Sequence, residues 1–252
     1  MTRTICITSM SQKYYDHVGK ACIETFSQFW PQDITLYVYN EDIATPKKTQ
    51  RVEFIPWSVL SDDYNKFVNR TENEGAIKFA KKGYSIIHAM RNLRCDRLIW
   101  IDADTYTTKP IHTQLISLLS PSDVLSSHFG VLHEWPSDQD PNRLSFSCET
   151  GFFILNKTHS FFQNFCSRYE QYYQLDLGYS LRRFYDGEVY GAVLKEMISK
   201  GAKVLELNLN QETKTPIPRS ILGEYLNHMK AGAKDKRTNT DILKSLNLKE
   251  SH

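Results

Sequence analysis

The apolar positions in the first hundred residues follow two spacings, one typical of strands and one typical of helices. Runs rich in β-branched and aromatic residues lie at 3–10, 34–39, 52–57 and 98–101. Between them, at 15–29 and 76–93, apolar residues return every three or four positions, which is the period of an amphipathic helix. The run at 98–101 is apolar on both faces, as in a central strand that is covered on both sides. Alternating strands and helices predict an α/β fold with a mostly parallel sheet.

The second half of the chain is less regular. Strand-like runs occur at 124–126, 151–156 and 202–208, and helical spacing occurs at 160–175 and 186–200. The segment 133–143 is polar and broken by prolines, which predicts a surface loop. The last residues are polar, with weak helical character at 241–248. We therefore expect one Rossmann-like domain at 1–234, with halves at about 1–110 and 111–234, and a polar tail at 235–252.

Composition excludes several classes of protein. Of 252 residues, 40% are hydrophobic and 24% are charged, so the chain has enough apolar material to fold. Lys and Arg number 31 against 29 Asp and Glu, which excludes a strongly basic nucleic-acid binder. The five cysteines are dispersed and form no CxxC pair, so we expect free thiols rather than disulfides or structural zinc. With no signal peptide and no apolar run of membrane-spanning length, a cytoplasmic protein is expected.

Two carboxylates follow the predicted central strand directly. Asp102 and Asp104 bracket Ala103 at the carboxyl end of that strand, and ligands bind at this edge of open α/β sheets. Mg²⁺ and Mn²⁺ prefer oxygen ligands and are often held by one or two carboxylates together with substrate phosphates. A strand that ends in two solvated acids without any metal would have the same sequence pattern. The triplet therefore indicates a metal site only when the surrounding sequence supports it.

That context resembles a known family. The segment "LIWIDADTYTTKPI" resembles the DxD region of the GT-A glycosyltransferases, which use nucleotide-sugar donors. Other segments resemble the first β-α-β unit of these enzymes, the basic helix before the DxD strand, the acceptor-side strand and a later Asp-containing helix. They are "ICITSMSQKYYDHVGKACIETFSQFWPQDITLYVYNED", "KFAKKGYSIIHAM", "SCETGFFILN" and "FYDGEVYGAVL". The resemblance implies a GT-A fold, a donor-binding half at 1–110, an acceptor-side half at 111–234, and Mn²⁺ or Mg²⁺ at the acids.

A late segment, "NHMKAGAK", is similar to the His-x-x-Gly-x-x-Lys element of retaining GT-A enzymes of the glycogenin and bacterial galactosyltransferase type. The spacing is one residue longer between His228 and Gly232 and one shorter between Gly232 and Lys234. The resemblance implies that His228 is a metal ligand and that Gly232 and Lys234 contact the diphosphate. It also implies transfer with retention, although a late histidine occurs in inverting members too.

The resemblance and the residue types together assign the candidate site. The expected metal ligands are Asp102, Asp104 and His228. The expected donor contacts are Thr8, Ser9, Tyr14, Lys78, Lys81, Asp102, Gly232 and Lys234. Thr8, Ser9 and Tyr14 are placed after the first strand to hold the base by hydrogen bonds and stacking. Lys78 and Lys81 share one helical face, where one of them reaches the donor or both are simply solvated.

The acceptor side carries the candidate general base. Glu149 or Asp186 is expected to act on the acceptor hydroxyl in an inverting enzyme, or to position the sugar in a retaining one. Each is also explained by a plain structural role, a solvent-facing acid or, for Asp186, a helix cap. Thr150, Gly151, His128 and His133 are placed nearby as acceptor contacts.

The sequence leaves the reaction partners open. We expect a UDP-sugar as donor and a saccharide or glycolipid as acceptor, or else hydroxymethylated phage DNA, since the late segment is rich in lysine. A nucleotidyltransferase would use similar acids, but it would need a glycine-rich phosphate loop, and residues 1–18 contain no glycine. A non-catalytic nucleotide-sugar-binding module is a further alternative.

Overall fold

A seven-stranded sheet forms the centre of the computed structural model, which describes residues 2–46, 49–131, 147–208, 216–229 and 237–248. The strands are β1 (Thr4–Met10), β2 (Thr35–Asn40), β3 (Val52–Pro56), β4 (Arg97–Ile101), β5 (Thr105–Thr107), β6 (Ser126–Val131), β7 (Ser147–Asn156), β8 (Val204–Glu206) and β9 (Leu226–His228). The helices are α1 (Gln12–Tyr14), α2 (Lys20–Phe29), α3 (Ser61–Val68), α4 (Glu74–Asn92), α5 (Thr113–Leu119), α6 (Phe162–Gln174), α7 (Asp186–Ser199) and α8 (Asn239–Ser245).

The sheet order is β3-β2-β1-β4-β7-β6-β8. Strands β3, β2, β1 and β4 run parallel to one another. Strand β7 runs antiparallel to both β4 and β6, whereas β8 is parallel to β6. The α/β class and the mostly parallel sheet are confirmed. The carboxyl ends of β1, β2 and β4 meet at one edge of the sheet, because parallel neighbours end on the same side.

The central strand is buried on both faces, as its continuous apolar run predicts. Leu98, Ile99, Trp100 and Ile101 are at most 3% exposed. One hydrophobic cluster packs between the sheet and α4, α6 and α7, and a second packs on the other face with α2 and α5. Burial on both sides excludes water from the strand that leads to Asp102, so the backbone at that point is firmly held.

Several elements differ from the sequence prediction. The helix expected at 15–29 is divided into α1, a π-helical turn (Tyr15–Gly19) and α2. Helices α3 and α5 were not predicted, since their short apolar patterns did not stand out. The strand expected at 124–126 begins at Ser126 and continues to Val131. Within the described ranges, no helix has the length and apolarity needed to span a bilayer.

The late part of the chain returns to the end of the central strand. Strands β5 and β9 form a two-stranded antiparallel sheet in which Thr105 faces His228. The Met229 backbone N–H donates to the Asp104 carbonyl at 3.0 Å. Residues 239–245, expected to belong to a polar tail, form α8, and its buried Ile242 and Leu243 pack against Val18 and Ala21.

Candidate functional site

A cavity opens at the edge where β1, β2 and β4 end. It has a volume of about 570 Å³. Seven of the residues singled out from the sequence line it, namely Ser9, Tyr14, Lys78, Lys81, Asp102, Asp104 and Asp186. Its volume is within the range of small-molecule sites.

Asp102 is held by side chains on two sides. The Trp100 indole Nε1 donates to Asp102 Oδ1 at 2.7 Å, and the Lys82 ammonium contacts the same oxygen at 2.7 Å. The Asp102 backbone N–H donates to the Gly151 carbonyl at 2.9 Å. Residues 100 and 102 share one side of the chain because strand side chains alternate. The second oxygen, Oδ2, points toward His228, 3.6 Å from its Nε2.

Lys82 links the two halves of the site. Its ammonium lies 2.9 Å from Asp186 Oδ2, donates to the Thr150 carbonyl at 2.5 Å and sits 4.9 Å from the centroid of the Trp100 ring. The side chain is only 11% exposed. Sequence reasoning chose Lys78 and Lys81 and missed Lys82, although Lys82 follows Lys78 by four positions and therefore lies on the same helical face.

Asp186 begins α7 and its side chain is buried. Burial raises its pKa, but the Lys82 ammonium and the hydrogen bonds from Thr150 Oγ1, Lys82 and the Gly187 backbone outweigh that effect, so the pKa of Asp186 lies below its ordinary value. The Thr150 hydroxyl donates to Asp186 Oδ2 at 2.6 Å. Asp186 is therefore an ionised carboxylate at neutral pH, and Thr150 supports it.

Three potential metal ligands, one of which is Asp102, lie close together. One ligand atom from each of Asp102, Glu149 and His228 lies within 4.8 Å of the other two. The His228 Nδ1 is 3.8 Å from Glu149 Oε1, and its Nε2 is 3.2 Å from Asp104 Oδ1. The predicted ligands Asp102, Asp104 and His228 are thus brought together, and Glu149 joins them from β7.

This donor set fits a hard or borderline divalent cation. Carboxylate oxygens with one imidazole suit Mn²⁺, and an ion with bonds near 2.1 Å has neighbouring ligand atoms roughly 3 Å apart. The three ligand atoms lie within 4.8 Å of one another, so side-chain adjustments would bring them to that spacing. Five carboxylates and three ammonium groups line the cavity, so its described wall carries an excess of two negative charges.

Gly151 is packed tightly against this cluster. A Cβ at Gly151 would lie 2.5 Å from His228 Cε1, 2.7 Å from His228 Nδ1 and 3.1 Å from Glu149 Oε1. Only glycine leaves the imidazole ring in place without a shift. The residue expected to contact an acceptor therefore borders the metal-ligand candidates.

The other donor-side candidates have different surroundings. Ser9 and Tyr14 reach the cavity, but Thr8 is fully buried within β1, which extends to Met10, so its side chain has no accessible surface for a nucleotide. The Lys81 ammonium contacts Glu41 Oε2 at 2.6 Å. Lys78 is exposed, and its ammonium lies 5.6 Å from the centroid of the Phe79 ring.

The expected acceptor residue His128 does not line the cavity. His128 lies inside β6 rather than in a loop, is only 4% exposed, and has its Nε2 3.6 Å from Glu206 Oε2. Burial lowers the pKa of His128 to about 4. A side chain so buried offers no face to an acceptor. His133, Gly232 and Lys234 fall outside the described residues.

Comparison with known proteins identifies the fold. No family model and no curated protein matches the sequence. Among solved structures, the chain is similar to mouse xyloside xylosyltransferase 1 in its apo form, at 12% identity and a TM-score of 0.51, covering 80% of this chain and 84% of that one. It is similar to an active-site mutant of LgtC, at 12% identity and a TM-score of 0.52, covering 96% and 95%.

A third similar structure is the apo form of the WbbM bifunctional glycosyltransferase, at 13% identity and a TM-score of 0.60. That match covers 97% of this chain and 50% of the other, so this chain corresponds to about half of WbbM. The three likenesses confirm the predicted GT-A glycosyltransferase fold.

Proposed function

We propose that this protein is a metal-dependent glycosyltransferase that transfers a sugar from a nucleotide-sugar donor to a hydroxyl acceptor. The proposed donor is a UDP-sugar. The observation that carries the proposal is the convergence of Asp102, Glu149 and His228 within 4.8 Å beside a cavity at the end of the central strand of a GT-A fold. One fold can support many activities, so the fold alone does not give the function. The cluster of metal-ligand candidates favours a metal-dependent transferase among those activities.

Asp102, Glu149 and His228 would hold the cation, with Asp104 against the imidazole. When bound, a divalent cation supplies Lewis-acid stabilisation of the departing diphosphate. The carboxylates of Asp102, Asp104 and Glu149 surround the His228 imidazole and would orient it toward the cation. The negative excess on the cavity wall favours the cation and would otherwise repel a diphosphate.

The rest of the cavity divides into a nucleotide end and a sugar end in this proposal. Tyr14 and Ser9 offer a ring and a hydroxyl to the nucleoside, next to the Glu41–Lys81 pair. Lys82 and Asp186 lie on the far side of Asp102, where the sugar would sit. An ionised Asp186 stabilises positive charge that develops on the sugar ring, and it cannot donate a proton at neutral pH.

The acceptor and the stereochemical course also belong to the proposal. We propose a saccharide hydroxyl, free or on a lipid, and transfer with retention. Of the late basic residues, Arg237 and Lys244 are described and exposed, and Arg237 donates to the Tyr106 hydroxyl at 3.1 Å. A steep loss of acceptor affinity with added salt would instead favour hydroxymethylated DNA. Proton NMR of the product shows the anomeric configuration.

Calorimetric titration with nucleoside diphosphates tests the donor site. We expect tight binding only with Mn²⁺ present, and we expect His228→Ala to lose most of this metal-dependent affinity while its melting temperature stays close to that of the parent. Lys66→Ala, a substitution in an exposed i,i+3 pair on α3, is the matched control. Equal affinity with and without Mn²⁺ would contradict a metal-dependent site.

A further inference from the structure

The short helix α8 contacts the π-helical turn that directly follows one wall of the cavity. Asn239, the first residue of α8, is only 3% exposed, which is unusual for a polar side chain unless its groups are paired. Its Oδ1 accepts from the Ala21 backbone N–H at 2.8 Å. Its Nδ2 donates to the Tyr15 carbonyl at 3.0 Å and to the Asp16 carbonyl at 2.7 Å.

These partners belong to the π-helical turn and to the start of α2. In a π-helical turn the backbone N–H pairs five residues back, as the Lys20 N–H does with the Tyr15 carbonyl. The next carbonyl and N–H with this separation are those of Asp16 and Ala21. The Asn239 carboxamide lies between them, donating to the Asp16 carbonyl and accepting from the Ala21 N–H. The side chain therefore supports a widened turn that is rare in proteins and frequent at functional sites.

The same turn sets the position of the cavity wall. Tyr14 immediately precedes it and, with Ser11 and Met10, lines the cavity. The Tyr15 backbone N–H donates to the Ser11 carbonyl at 2.9 Å, which joins the turn to that wall. A Cβ on Gly19 would lie 2.9 Å from Met10 Sδ, so the turn packs directly behind a lining residue.

Helix α8 is itself firmly placed. Thr238 and Asp241 form a capping box at its start, in which the Thr238 N–H donates to Asp241 Oδ2 at 2.9 Å. Ile242 and Leu243 are buried in a cluster with Tyr106 and Met229. Met229 follows His228, and its N–H donates to the Asp104 carbonyl. The helix thus contacts both the π-helical turn behind the Tyr14 wall and the segment that carries the histidine.

We infer that Asn239 is a positioning residue for the donor nucleotide: it acts through the π-helical turn by fixing the wall formed by Ser11 and Tyr14. The inference rests on the proposed function, because it assigns that wall to the nucleoside of the donor. The Asn239 carboxamide is buried against backbone groups of the turn and of α2, so it supports the wall from behind and binds no substrate itself.

The test compares Asn239→Ala with Ile242→Val in the full-length chain. Both substitutions weaken the packing of α8, but only the first removes the hydrogen bonds to the turn. Binding of uridine, guanosine, cytidine and thymidine diphosphates with Mn²⁺ is measured by calorimetry, below the melting temperature of every variant. For the nucleotide that the parent binds best, we expect Asn239→Ala to lose roughly tenfold in affinity, as for outer supports of other sites. Ile242→Val should keep the parent affinity.

Steady-state kinetics provide a second readout. We expect the donor KM of Asn239→Ala to rise while its acceptor KM stays within about twofold of the parent value, because the wall belongs to the donor side. Unchanged nucleotide affinity in Asn239→Ala, or an equal loss in Ile242→Val, would overturn the positioning role and leave the proposed function intact. Failure of the parent to bind any of these diphosphates would instead overturn the proposed function.

Discussion

The chemistry of the site depends on a few side chains whose environment differs from what their residue types suggest. Lys82 is a lysine with an almost fully buried ammonium, and it is stable there because it faces Asp102, Asp186 and a backbone carbonyl. The sequence showed the lysines of this helix but not which of them is buried. The burial of a lysine on α4 depends on how this helix packs against β4 and α7. The helical period shows which residues share a face, but it does not show how deeply each one is buried.

His128 provides a prediction on pH. Its pKa is lowered to about 4 by burial, whereas an unfolded histidine titrates near 6.5, so the unfolded state binds more protons between these values. The free energy of unfolding should therefore fall as the pH drops from about 6.5 to 4, by up to about 3 kcal/mol from this residue. Urea unfolding across this pH range measures it. His128→Gln should flatten the curve, and an unchanged slope would mean that His128 is accessible to protons in the folded state.

Gly151 provides a prediction on metal affinity. An added Cβ would lie 2.5 Å from the His228 ring, so Gly151→Ala must displace the imidazole or Glu149. We expect Mn²⁺ affinity to fall by roughly tenfold or more, as when a ligand loses its support. Binding of Mn²⁺ followed by electron paramagnetic resonance measures this effect. Gly75→Ala is the matched control, because a Cβ there first meets the Tyr185 ring, away from the histidine. Equal Mn²⁺ affinity in Gly151→Ala and the parent would remove His228 from the ligand set.

At the scale of elements, the site is assembled where secondary structures end. Strand β4 ends one residue before Asp102, α7 begins at Asp186, and β9 ends at His228. The sequence predicted β4 and α7 well, because a continuous apolar run and a clear helical period mark them. It did not predict the pairing of β5 with β9. Such three-residue strands have no distinct pattern, and their partners are about 120 positions apart.

Helix α4 offers a direct comparison between two neighbouring lysines. Lys82→Met would leave the buried carboxylate of Asp186 and the half-buried carboxylate of Asp102 without their cation, and we expect a loss of roughly 3 kcal/mol in the free energy of unfolding. Lys81→Met removes a more exposed pair with Glu41 and should cost at most about 1 kcal/mol. Urea denaturation compares the two variants on the same helix.

A further substitution identifies the cause of the Lys82 effect. In the Lys82→Met background, Asp186→Asn removes one of the two uncompensated charges, so the double variant should recover part of the lost stability. Equal losses for Lys82→Met and Lys81→Met, or no recovery in the double variant, would show that the Lys82 ammonium is not the counter-charge of Asp186.

At the scale of the whole molecule, the fold brings together residues that are distant in sequence. The alternation of strands and helices predicted the parallel half of the sheet, and the match to three glycosyltransferase structures confirms the GT-A fold. The antiparallel insertion of β7 between β4 and β6 was not predicted, because antiparallel pairing leaves no mark in a buried apolar strand. That insertion places Glu149, Thr150 and Gly151 beside Asp102.

The central claim is that these residues form the donor site of a metal-dependent glycosyltransferase. Release of nucleoside diphosphate from a panel of nucleotide sugars, with Mn²⁺ and with chelator, measures this most directly. We expect one donor to be hydrolysed slowly with Mn²⁺, activity to be lost with chelator, and His228→Ala to lose roughly 100-fold or more in rate. Full turnover in chelator, or no turnover of any nucleotide sugar with Mn²⁺ present, would contradict the claim.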